Sequence, residues 1–212
     1  MPTPYRQATL DWICCNKDYI KQIASSLDVP AEAIAGLMAK ENNSFMNHVG
    51  IAVWAENLAT SLLTWSNEAI YQAYNDHKDD IGPGKITKVL NPILIDIGPA
   101  NIQTCTAIRL INDYMTNYPN DPYGLKEYNE NPRLMVATLT DWLNTGKDPA
   151  QCQDAAARLS TVLTGLMVKE ALKFCQEKAD PQWWSWASSD SVFRDAILVT
   201  YCVNGKAWME RN

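Results

Sequence analysis

Apolar residues recur three or four positions apart along most of the chain, the spacing that puts them on one face of a helix. A first amphipathic stretch covers 5–26 and stops before Asp28-Val29-Pro30. Pro30 suits the first turn of a following helix, with Asp28 as a nearby capping candidate. That second helix is expected from about Ala31 to Asn42. A long helical stretch follows over roughly 50–78 and runs out in Asn75-Asp76-His77-Lys78-Asp79-Asp80. Ile81-Gly82-Pro83-Gly84 then reads as a turn.

A short element near 86–94 leads to Asp96-Ile97-Gly98-Pro99, where Pro99 is placed as the first position of a helix continuing to about Asn117. Tyr118 to Gly124 has the turn chemistry of a loop. Further helices are expected over 132–144, 149–178 and 190–209, with Asp148-Pro149 and Ser189-Asp190 as their starts. No alternating run is long enough for a substantial strand, although a small hairpin fits between 80 and 97. The pattern predicts a mainly α chain of one domain, 1–212, with little or no β structure.

Composition agrees. Of 212 residues, 47% are hydrophobic and 20% charged, as in an ordinary globular protein. A chain this long buries roughly 70% of its unfolded surface and needs no metal merely to fold. The net charge of −6 and the lack of any Lys/Arg run argue against nucleic acid as a partner. No apolar stretch approaches the roughly 18–20 residues that span a bilayer, so membrane insertion is not expected. Met1-Pro2-Thr3-Pro4-Tyr5-Arg6 lacks the order of a secretory signal, so either the natural chain begins elsewhere or export uses another machine.

The six cysteines (Cys14, Cys15, Cys105, Cys152, Cys175 and Cys202) form no CxxC pair and have no histidines at ligand spacing. A zinc site is therefore not expected. They read as buried thiols, with one or two disulfides as the alternative. Asp76, Asp79 and Asp80 miss the spacing of a twelve-residue calcium loop and read as a solvated helix end. With only His48 and His77 there is little material for Ser/His/Asp or Cys/His catalysis. No metal and no cofactor is expected.

Glu41 is the informative residue. It lies +7, +4, +3 and −4 from Ile34, Leu37, Met38 and Phe45, which places a carboxylate in the apolar stripe just before Asn42 and Asn43 break the pattern. Partial desolvation raises a carboxylate's pKa and keeps a proton on it, as general acid catalysis requires. A boundary Glu that caps a neighbouring helix is the plainer alternative. The second feature is Gly98-Pro99-Ala100-Asn101-Ile102, with a tight backbone at Gly98 and an amide at Asn101. The third is Tyr201-Cys202-Val203-Asn204-Gly205, where Asn204 and Gly205 interrupt an apolar helix.

Taken in order, these three elements resemble the lysozyme-like superfamily, in its branch of goose-type lysozymes and soluble lytic transglycosylases. The family pattern of Glu-Ser, Gly-Leu-Met-Gln-Ile and Ala-Tyr-Asn-Ala-Gly is matched here by Glu41-Asn42, Gly98 to Ile102, and Tyr201 with Asn204-Gly205. Asn42 stands where Ser is usual, Asn101 replaces Gln, and Cys202-Val203 widens the last motif. About 55 residues separate Glu41 from Gly98, which implies a helical insertion at about 46–95. Divergent members of this kind resemble muramidase toxins injected through the type VI secretion system, and phage lytic enzymes fit as well.

The resemblance implies cleavage of the peptidoglycan glycan strand between N-acetylmuramic acid and N-acetylglucosamine, with Glu41 as the acid. Asp96, just before the Gly98 segment, is the candidate second carboxylate for inverting hydrolysis at a separation of roughly 6.5–9.5 Å. Without such a group, the substrate's 6-hydroxyl would give the anhydro product of a lytic transglycosylase. Asn42, Gly98, Asn101, Ile102, Tyr201 and Asn204 would line the substrate site. Trp184, in Trp183-Trp184-Ser185-Trp186, is a candidate sugar-stacking residue, with core packing as the alternative. Glu170, mid-helix in the Leu166–Glu170 echo of Leu37–Glu41, reads as structural. An injected toxin would act in the periplasm of a target bacterium and would require an immunity protein in the producer. A catalytically silent helical wall-binding or partner-docking module is the rival from another class.

Overall fold

The computed structural model describes residues 5–47, 54, 57–78, 91–145 and 154–204. The protein is mainly α, with one two-stranded sheet among the described residues. Helix α1 spans Gln7–Leu27 and α2 spans Ala31–Asn47. Asp28 closes α1 rather than opening α2. It takes the left-handed conformation (φ 56°), and the next N–H, from Val29, bonds Ala24 O at 3.0 Å. Helix α2 does not stop at Asn42 but runs through it. The side chains of Asn42 and Asn43 are engaged by partners outside their own helix, so they do not compete with its backbone bonds.

The helical stretch expected over 50–78 is interrupted. A 3₁₀ turn at Thr60–Thr64 ends at Trp65, and Ser66 then caps α3, Asn67–His77, by accepting from Ala69 N at 3.1 Å. After a second 3₁₀ turn, Pro92–Leu94, the chain forms strands β1, Asp96–Ile97, and β2, Ile102–Gln103. Helix α4, Thr104–Asn117, begins only after the hairpin. Pro99 therefore lies in the hairpin turn and starts no helix. Its first strand lies at the end of the 80–97 window in which a hairpin was expected, and its second strand lies beyond that window.

The loop at Tyr118 to Gly124 leads into α5, Lys126–Glu130, and α6, Pro132–Thr145. Asp154, bonded to Ala157 N at 2.7 Å, opens α7, Ala155–Lys178. The start proposed at Asp148-Pro149 lies outside the described residues. The last expected helix, 190–209, is α9, Ser191–Asn204, and a further helix, α8, Pro181–Ser188, precedes it where none was expected. Asp180 with Pro181 supplies a start signal for α8 that periodicity alone did not separate from its surroundings.

Helix α7 is the axis of the molecule. From Ala156 to Leu166 only Arg158 is exposed, so the helix is apolar and enclosed nearly all round. A Cβ on Gly165 would lie 2.8 Å from Leu27 Cδ1 and 2.9 Å from Ile23 Cγ2. Close approach of α1 therefore requires glycine there. Arg158 stacks over Tyr19 at 5.6 Å and Lys169 reaches Leu27 O at 3.1 Å, so α1 runs parallel to α7. Ile34 lies against Gly165 and Met38 Sδ against Thr161 at 3.7 Å, so α2 runs antiparallel to it. Leu62, Ile70 and Ile93, from the stretch expected to be a helical insertion, join the same core as α1, α2 and α7. Their segments are thus part of the main body and form no separate lobe.

Candidate active site around Glu41

Glu41 lies three residues beyond Met38, toward the α7 N-terminus, where α2 meets the hairpin and α9. The hairpin pairs Asp96 with Gln103 and Ile97 with Ile102. Both isoleucines are buried, which turns Asp96 and Gln103 to the opposite face. The turn between them closes through Asn101 N to Gly98 O at 3.0 Å. It needs two left-handed residues, Gly98 (φ 77°) and Asn101 (φ 49°), the residue types that accept this conformation most readily. Gly98 is doubly required, because a Cβ there would come within 3.0 Å of Leu139 Cδ2 on α6.

This turn carries the Asn101 amide to Glu41, where Nδ2 donates to Oε2 at 3.2 Å. The Glu41 carboxyl is half-buried, and burial pushes its pKa upward. The Asn101 bond and the Lys40 charge oppose that rise without cancelling it. The Cys202 thiol on α9 also feels the Glu41 carboxyl. A Cβ on Gly36 would lie 3.4 Å from Val199 Cγ2, so α2 and α9 pack directly on each other. The Cys202 thiol is pushed up to about 12, chiefly by burial and then by the Glu170 and Cys175 neighbours, with Glu41 adding to the rise.

Asn42 takes a different part from the one expected. It is 4% exposed, its Nδ2 donates to Pro99 O at 3.3 Å, and its Oδ1 accepts from Thr9 Oγ1 at 2.9 Å. A side chain so engaged positions the hairpin turn and does not reach toward a ligand. Ile102 is 3% exposed and belongs to the core, so it supports the turn from below. Asn43 Oδ1 accepts the Arg6 N–H at 2.9 Å, which fastens the start of α1 to the same point.

Asp96 is exposed on β1, two residues or about 7 Å along the strand from the turn. Tyr201 is half-buried one residue before Cys202, and its ring packs on Phe174 at 4.9 Å between centroids. Its phenol is pushed up to about 12 by burial and the neighbouring thiols. Asn204 ends α9, and its side chain, like Gly205, lies outside the described residues. Trp184 is not brought to this cluster. It packs half-buried on α8, beside Trp183, at the opposite end of α9. There Trp186 meets Phe193 at 5.3 Å, nine residues or about 13 Å along the helix from Cys202.

Glu170 is held by Arg109 in a two-pronged ion pair, at 2.6 and 2.8 Å, across α7 and α4. This is a structural tie of the kind expected for it. Cys15 is disulfide-bonded, whereas Cys14, Cys105, Cys175 and Cys202 are thiols, with Cys14 exposed. Among the described residues no group of three or more His, Cys, Asp or Glu side chains is placed to hold a metal ion. Among the same residues no helix is long and apolar enough to cross a membrane. Two surface cavities, of about 550 and 620 Å³, open beside Asp141–Asp154 and beside Tyr71–Asn129, and Glu41 lines neither.

Sequence reasoning missed Thr9 and Arg6, and read Cys202 only as a thiol that widens the last motif. Thr9 did carry a signal, since it falls on the stripe of Trp12, Ile20, Ile23 and Leu27 and is fully buried among them. A polar residue in that register implies a specific hydrogen-bond partner. Comparison with known proteins adds no constraint: no family model, no curated protein and no solved structure matches the chain.

Proposed function

We propose that the protein cleaves peptidoglycan glycan strands as a muramidase, with Glu41 as general acid. The observation that carries this reading is a half-buried carboxyl, raised in pKa by desolvation and held by one neutral amide from a hairpin turn. Such a group keeps its proton nearer neutrality and presents it in a fixed direction. The order of helix-borne Glu, hairpin amide and late Tyr, around an enclosed central helix, supports the resemblance to lysozyme-like enzymes.

In the proposed reaction Glu41 gives its proton to the glycosidic oxygen as the bond to the muramic acid C1 breaks. In the hydrolytic form a water attacks C1 from the opposite face and passes its proton to Asp96. Asp96 is exposed and close along the chain to the turn that carries Asn101, which favours it for that part. In the transglycosylase form the 6-hydroxyl of the same sugar attacks instead and closes an anhydro ring. Asn101 orients the acid, and the substrate roles of Tyr201 and Asn204 rest on the resemblance alone, since the Tyr201 ring packs on Phe174. The disulfide at Cys15 supports an oxidising destination such as a bacterial periplasm. An immunity protein in the producer would accompany delivery as a toxin.

The test is digestion of purified sacculi with the products read by mass spectrometry. Reducing ends are expected for hydrolysis and anhydro-muramic ends for transglycosylation. Glu41→Gln is expected to lower the rate by a factor of about 10²–10⁴ while the circular dichroism spectrum stays that of the wild type. Wild-type protein that releases neither product overturns the enzyme reading and leaves the silent wall-binding module.

A further inference from the structure

We propose that Thr9 of α1 is a positioning residue for Glu41, acting through Asn42 to fix the hairpin turn that carries Asn101. Its catalytic meaning rests on the reading of Glu41 as the acid. The positioning itself is a claim about geometry.

The path has three hydrogen bonds. Thr9 Oγ1 donates to Asn42 Oδ1 at 2.9 Å, Asn42 Nδ2 donates to Pro99 O at 3.3 Å, and Asn101 Nδ2 donates to Glu41 Oε2 at 3.2 Å. Pro99 and Asn101 belong to one four-residue turn, closed by the bond from Asn101 N to Gly98 O. An amide side chain can flip end for end, and in the wrong sense Asn42 would turn its oxygen toward Pro99 O. Pro99 O can only accept and so selects the sense that faces Nδ2 to the turn, and the Thr9 hydroxyl completes that arrangement by donating to the Oδ1 left pointing at α1. Thr9 is fully buried and Asn42 nearly so, so water does not replace the lost partner if the hydroxyl is removed.

The start of α1 is held at the same place a second time, by Arg6 N on Asn43 Oδ1 at 2.9 Å. Two consecutive asparagines directly after the acid thus tie α1 to α2, and the first of them passes the constraint on to the hairpin. The acid is therefore oriented by three elements at once: its own helix, the hairpin turn, and the first turn of α1. The Asn101 bond favours the charged carboxylate. Any variant that lets the turn withdraw its amide removes that support and raises the carboxyl's affinity for its proton further.

The experiment follows the Glu41 carboxyl carbon by NMR across a pH titration of the full-length protein without substrate. Asn101→Leu, which removes the donor, is expected to move the titration upward. Thr9→Val, which keeps shape and loses the hydroxyl, is expected to move it the same way by a smaller amount. Thr9→Ser is expected to titrate as the wild type. In the double variant, Thr9→Val is expected to add nothing to the Asn101→Leu shift, since the two act on one bond. If Thr9→Val does not fold, Thr9→Ala serves the same comparison. An unmoved titration in the hydroxyl-free variant, or a shift that adds fully to that of Asn101→Leu, overturns the proposal. Because no substrate is present, this outcome is separate from that of the sacculus digest. A protein inactive on sacculi with coupled titrations retains the positioning path and loses only the reaction assigned to it.

Discussion

The proton on Glu41 has a stability cost and a sign. An unfolded Glu titrates near about 4.3, and burial raises the folded value above that. The folded state therefore binds this proton more tightly than the unfolded chain. The associated stability is fully present below the unfolded value and is lost as pH rises through the folded one. Replacing the carboxyl by an uncharged amide removes that loss. Glu41→Gln is thus expected to be more stable than the wild type at neutral pH, by about 0.5–2 kcal/mol, with the difference closing toward pH 4. Urea unfolding at the two pH values measures it, and a variant less stable at neutral pH than at acid pH, relative to the wild type, contradicts the sign. Glu41 was legible in the sequence because one residue interrupts an otherwise apolar helical register. The Asn42–Pro99 and Thr9–Asn42 bonds were not, because they join positions 57 and 33 residues apart and leave no local pattern.

Among elements, the helices were the legible part, and the hairpin was where reading failed. Pro99 looked like a helix start because proline is at home in a first turn and a helix does follow. Two left-handed residues three positions apart, Gly98 and Asn101, are instead the mark of a closed turn, and Ile97 and Ile102 on either side are too few to make an alternating run. The interruption at Trp65 and Ser66 was likewise hidden inside an apolar stretch that periodicity alone carries through. Helix α7 was legible in extent but not in rank. Its enclosure by α1, α2, α4, α6 and α9 follows from tertiary packing. Gly165 marks that enclosure, and Gly165→Ala, favoured by helix propensity alone, is expected to destabilise the protein by about 1–3 kcal/mol through overpacking against Ile23 and Leu27. A fall in the urea midpoint checks it. A rise would mean that α1 moves away without loss.

At the scale of the whole molecule, one apolar core takes in α1, α3, the second 3₁₀ turn and α9, so single-domain cooperativity is the expectation for unfolding. The cysteines divide by position within that body. Cys105 and Cys175 are buried thiols, whereas Cys14 is exposed on α1 directly beside the disulfide-bonded Cys15. An accessible sulfur next to an oxidised one is an attacking group beside a ready target, and it also faces outward toward other molecules. Preparations left in air at mildly alkaline pH are therefore expected to accumulate covalent dimers and internally reshuffled species. Both would be visible as extra bands on a non-reducing gel, and both would be absent from a Cys14→Ser protein treated alike. The same residue gives a site for attaching a single probe to the outer face of α1, one to two helical turns from Thr9, without touching the buried sulfurs.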